Sequence, residues 1–141
     1  MTQSFTRKPA SPIRAGLAVV IVAYVILAFI YSQATPLFEA SDEFWHYPLV
    51  HHLSNNSLQL PELDPANPGA WRQQGAQPPL YHLLAAILTA PIDTTDFDTV
   101  YRPNPFADIG ITTTDGNQNM VVHDATRETF PGSGAVLAAY L

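Results

Sequence analysis

The chain has 141 residues, enough for one modest domain, and none of them is cysteine, which excludes disulfides, thiolate metal sites and cysteine nucleophiles. Its formal charge is −6, with 12 acidic residues against 6 basic ones, and such an acidic exterior argues against nucleic acid as a partner. Proline occurs 13 times, nearly twice the ordinary share, so the region between Pro36 and Pro131 is expected to break into short elements.

Residues 1–14 carry Arg7, Lys8 and Arg14 and no acid. They read as a cytoplasmic tail, because basic flanks stay inside. Residues 15–35, "AGLAVVIVAYVILAFIYSQAT", hold no charge. As a helix they would run about 31 Å at ~1.5 Å per residue, close to the ~30 Å of a hydrocarbon core. The run is apolar all round and has no polar stripe to turn toward water. It predicts a transmembrane helix stopped by Pro36, in an integral membrane protein with the acidic remainder outside the cytoplasm. The rival is a signal peptide cleaved after Ser32-Gln33-Ala34, which would release a secreted acidic protein. The length of the run favours an uncleaved span.

Residues 36–133 then read as an extracytoplasmic loop. Ser41 suits a helix N-cap, with Asp42 and Glu43 in the first turn, where negative charge meets the positive dipole end. That helix is expected over 42–55, kinked or delayed by Pro48 and fading at Asn55-Asn56. Leu58 to Gln77 is rich in turn residues. Pro78 and Pro79 suit the start of a second helix. Leu80, Leu83, Leu84, Ile87 and Leu88 keep helical spacing, which predicts that helix over 80–90. It is too short to cross a bilayer and is expected to lie along its surface or under a partner. Residues 93–131 read as polar loop with a weak strand at Met120 to His123. Residues 134–141 open a new apolar run, read as the start of a truncated second span. On this reading the chain is the front of a larger polytopic protein; the alternative is a small complete protein with an apolar tail.

Chemistry concentrates just past the span, in "PLFEASDEFWHYPLVHHL". A carboxylate there stands where the head group of a lipid-linked substrate would lie, and partial desolvation raises its basicity. Asp42 and His46 are four apart and share a helical face, as an acid/base pair or around a metal ion. The plainer readings are helix-terminal charges for Asp42 and Glu43 and packing roles for His46, His51 and His52. No clean metal-ligand spacing accompanies the histidines, so no metal is expected. Arg72 and Arg102 are the cations available to hold a phosphate. No glycine-rich phosphate loop and no Gly-x-Ser-x-Gly is present, so neither a nucleotide cofactor nor serine-hydrolase chemistry is expected.

A first span, a proline, "SDEFWHY" just beyond it, and later "QPPLYHLL" and "NPFADIG" together resemble the N-terminal part of GT-C integral membrane glycosyltransferases. The likeness is to bacterial relatives of protein mannosyltransferases and lipid A aminoarabinose transferases. It implies a mostly α-helical membrane protein: one transmembrane helix, two short membrane-parallel helices in an otherwise irregular extracytoplasmic loop, then the start of a second span. It also implies a polyprenyl-phosphate sugar as donor and an acceptor hydroxyl outside the cytoplasm. The family's catalytic acidic residue at the start of the loop, which serves as base or positions the acceptor, maps onto Asp42, with Glu43 as its neighbour. His46 would assist, and Arg72 would contact phosphate. The alternative is a non-enzymatic, membrane-anchored interaction module.

Overall fold

A computed structural model describes residues 12–40, 42–107 and 119–141. It is mostly helical, and no strand occurs among the described residues. The chain divides into two units, residues 1–34 and 35–141.

The first unit holds α1, Pro12–Ala34, a 23-residue helix with no buried residue. Pro12 stands at its first position, where the missing N–H has no partner to lose. Eleven of its residues are Leu, Ile, Val or Phe. At roughly −0.3 to −0.6 kcal/mol each these favour lipid by about 3–7 kcal/mol, which outweighs the ~3 kcal/mol that Arg14 would cost even at the helix centre. The helix is thus long and apolar enough to cross a membrane and compatible with an anchor, properties that a signal sequence near an N-terminus shares.

In the second unit α2, Glu43–Asn55, begins after Asp42, whose backbone is left-handed at φ 55°. The Asp42 carbonyl accepts the first amides of the helix, from Trp45 at 2.9 Å and His46 at 3.0 Å. The Asp42 side chain caps nothing, and Ser41, expected as the cap, lies outside the described residues. The helix ends where the asparagines predict: Asn56 donates to the His52 carbonyl from both its backbone and its side chain.

Pro48 neither ends nor delays α2. It has no N–H for the carbonyl four residues back, that of Phe44. The Tyr101 hydroxyl donates to that carbonyl instead, at 3.0 Å, which explains why the helix runs through its proline. Tyr101→Phe should therefore leave a carbonyl unpaired and cost about 1–2 kcal/mol in urea unfolding followed by tryptophan fluorescence. Adding Pro48→Ala to that variant returns an amide to Phe44 and should recover part of the loss. A double variant less stable than the sum of the two singles would refute this pairing.

After a turn-rich stretch and a short 3-10 helix at Arg72–Ala76 comes α3, Leu80–Thr89. It packs on α2 through Ala86, which meets Leu49, Val50 and Leu53 in one buried cluster. One turn of helix, α4 at Phe97–Val100, interrupts what reads in sequence as loop. The last element, α5 at Gly134–Tyr140, is formed by the residues read as the start of a second span; Ala135, Val136 and Ala138 are buried. They join Leu37, Phe38, Tyr47, Val100, Tyr101 and Val121 in a second core cluster.

The strand expected at Met120 to His123 reduces to a single bridge, Pro103 to Val121. Pro103 has no amide to extend a ladder. The amides of Met120 and Val121 are taken instead by the Glu39 carboxylate, at 2.8 and 3.3 Å.

Candidate functional site

The helical period of α2 sorts its first turns into two faces. Glu43, His46, Tyr47 and Val50 line one cavity of about 160 Å³, which Tyr81, Ala85 and Thr89 of α3 and Ala138, Ala139 and Leu141 at the C-terminal end close from the other sides. Two of the four residues expected to carry function, Glu43 and His46, thus share a cavity one helical turn apart. Asp42 is exposed and is not among its lining residues. Arg72 lines a different cavity of about 340 Å³ with Phe44, Trp45 and Asn104, on the other face of α2. Arg72 and the Glu43–His46 pair are therefore not brought together.

Glu43 is half-buried. Burial pushes its carboxyl above the ordinary range; the backbone groups of Phe38 and Ala40 pull part of the way back, and the nearby Glu39 charge adds to the rise. A carboxylate so placed is a stronger base than one in water.

His46 is joined to His82 of α3, with its Nδ1 2.8 Å from His82 Nε2. In sequence His82 has no local partner; the partner lies 36 residues away. His82 is 2% exposed. Burial, and next the neighbouring His46, lower its tendency to protonate. Its other nitrogen, Nδ1, is buried and has no hydrogen bond among the described residues. Tyr81 stands edge-on to both rings, with centroids 5.8 Å from His46 and 5.1 Å from His82. Tyr81 is also 63% exposed and belongs to an apolar face of α3 with Leu80, Leu84, Ile87 and Leu88, each more than half exposed. The cavity wall and the apolar face thus meet at one side chain.

The remaining histidines of α2 act as packing groups. His51 stacks on Phe97 at 4.1 Å, and burial lowers its tendency to protonate. His52 tilts against Trp71 at 4.8 Å. Among the described residues no three of His, Cys, Asp and Glu gather in a metal-holding group.

Comparison with protein families, with curated proteins and with solved structures finds no match for this chain.

One charged cluster has no counterpart in the sequence reading. His123 reaches Glu128 from Nδ1 at 2.6 Å and Glu39 from Nε2 at 2.9 Å. Carboxylates accept, so both ring nitrogens donate, which is the hydrogen-bonding pattern of an imidazolium. Burial alone would lower the His123 pKa, but the hydrogen bonds and charges of Glu128 and Glu39 outweigh it and raise the value. The Glu128 carboxylate also stands 4.0 Å from Arg102. Glu39 and His123 are 84 residues apart, so no local spacing could reveal them. The cluster ties the segment after α1 to the segment before α5.

Proposed function

We propose that the chain contributes the acidic site of a membrane glycosyltransferase that moves a sugar from a polyprenyl-phosphate donor to an acceptor hydroxyl outside the cytoplasm. α1 is its membrane span, with the N-terminal residues cytoplasmic and the second unit extracytoplasmic, and α3 lies with its apolar face on the lipid surface. The observation that carries this reading is the meeting of an acid–imidazole cavity and an exposed apolar face at Tyr81. A lipid-linked donor needs that adjacency, since its chain stays in the membrane while its sugar reaches the base.

In this scheme Glu43 takes the proton of the acceptor hydroxyl. The acceptor oxygen bonds to the anomeric carbon, the bond from that carbon to the phosphate oxygen breaks, and its electron pair leaves with polyprenyl phosphate. Asp42 stands at the exposed start of α2, where it can hold the acceptor. The resemblance makes Asp42 the base or the group that positions the acceptor, and the cavity favours Glu43 as base; a pair of variants separates them. Membranes carrying the protein are supplied with a synthetic polyprenyl-phospho-hexose or -pentose, and release of polyprenyl phosphate is measured. Glu43→Gln should lower the rate about 10²–10⁴-fold, and Asp42→Asn by far less. Release that neither substitution changes would overturn the proposal.

The same apolar face supports a second reading, a membrane-anchored module that docks a partner protein along α3. Retained membrane anchoring with no sugar transfer at all would favour it.

A further inference from the structure

The His46–His82 contact engages Nδ1 of His46 and so bears on which of its two nitrogens carries the proton. With 2.8 Å between His46 Nδ1 and His82 Nε2, one proton lies between the two nitrogens. If His46 supplies it, neutral His82 must carry its own proton on Nδ1. That atom is buried and has no partner among the described residues, so a buried N–H would go unbonded. If His82 supplies it from Nε2, its Nδ1 keeps only a lone pair. Unbonded buried donors are rarer in folded proteins than under-used acceptors, so the second arrangement is favoured. Adding a proton to the pair removes the advantage, because either cation again places a hydrogen on His82 Nδ1.

We propose that His82 is a positioning residue that donates to His46 Nδ1, fixes the His46 proton on Nε2, and so makes His46 a hydrogen-bond donor to the cavity while Glu43 remains its base. Tyr81, edge-on to both rings, holds their planes for this bond. The donor at His46 Nε2 suits an oxygen of the donor phosphate or of the sugar. That consequence rests on the transferase reading; the position of the proton does not.

The proton is located directly. The full chain, labelled with ¹⁵N-histidine in detergent micelles or lipid nanodiscs, is examined for nitrogen–nitrogen coupling across the hydrogen bond. The expected result is a proton covalently on His82 Nε2 and coupled to His46 Nδ1, with a second proton on His46 Nε2. A proton on His46 Nδ1, or no coupling between the rings, overturns the proposal. In the transfer assay His82→Phe should lower kcat on the order of tenfold or more, with KM little changed. His82→Gln, whose amide can donate to His46, should recover part of that loss. Equal kcat in His82→Phe and the parent protein overturns the positioning role. Absence of transfer by the whole polytopic protein to which the chain contributes this site removes the transferase reading, and the coupling experiment still decides where the proton lies.

Discussion

Glu39→Ala is expected to destabilise the second unit by about 3–5 kcal/mol. The Glu39 carboxylate accepts from the amides of Met120 and Val121 and from His123 Nε2. Val121 is 1% exposed, so its amide is shielded from water once the carboxylate is gone. Each partner left unpaired costs about 1–3 kcal/mol, more where a charge is involved. Glu39→Gln keeps an acceptor for the amides and loses the negative charge beside His123, so its loss should be smaller.

The pH dependence follows from the direction of the His123 shift. Its folded-state pKa is raised above the unfolded value of about 6.5. Its contribution is therefore complete below pH ~6.5 and declines as pH rises through the folded value. Urea unfolding of the whole chain, followed by Trp45 and Trp71, which both lie in the second unit, should show stability falling above pH ~6.5. Glu39→Ala should flatten that slope. A slope that survives the substitution unchanged would assign it to another group.

The same cluster shows what a sequence can and cannot disclose. α1 is legible because nothing but composition and length decides it. α3 is legible as a helix because Leu80, Leu83, Leu84, Ile87 and Leu88 keep its period. Which face it buries is another matter. Periodicity says which residues lie together, and here only Leu83 of that stripe turns partly inward, toward α2. His82, Ala86 and Thr89 form the buried side. Ala86 allows close approach, and His82 finds its hydrogen-bond partner on α2. An apolar stripe facing outward beside a buried histidine inverts the ordinary preference of soluble proteins and suits a helix laid along a membrane or a partner, as its short length led one to expect.

The site was legible in residue type more than in geometry. Acid and imidazole near the start of α2 were evident from "SDEFWHY", but the left-handed backbone at Asp42 shifts the start of the helix and leaves Glu43, not Asp42, lining the cavity with His46. Pro48 announced a missing hydrogen bond; its replacement comes from Tyr101, 57 residues beyond the carbonyl it serves. His82 and His123 likewise take their roles from partners 36 and 84 residues away. Contacts at such separations depend on the packed core, and no short window of sequence contains them.

Gly134→Ala tests how far the cavity depends on that core. A Cβ at Gly134 would overlap the Asp93 carbonyl oxygen and crowd Ile92. The obstacle is backbone, so α5 must move rather than a side chain turn aside. Two bonds that seat α5 depend on its present place: the Ala135 amide donates to Asp96 Oδ1 at 3.1 Å, and the buried Tyr47 hydroxyl donates to the Ala135 carbonyl at 2.9 Å. Ala135 and Val136 have no exposed surface, so a displaced α5 opens the core beneath Phe38 and Tyr47. The expected cost is about 3 kcal/mol or more, at the upper end for overpacking because bonds are lost as well. Gly16→Ala in α1, where nothing among the described residues stands within 4 Å, is the control and should be neutral or slightly stabilising. Because Ala138, Ala139 and Leu141 close the Glu43–His46 cavity, Gly134→Ala should also admit water there and let the Glu43 carboxyl fall back toward its ordinary range. A Gly134→Ala protein with unchanged unfolding and an unchanged Glu43 titration would mean that α5 is not seated against Asp93 as described.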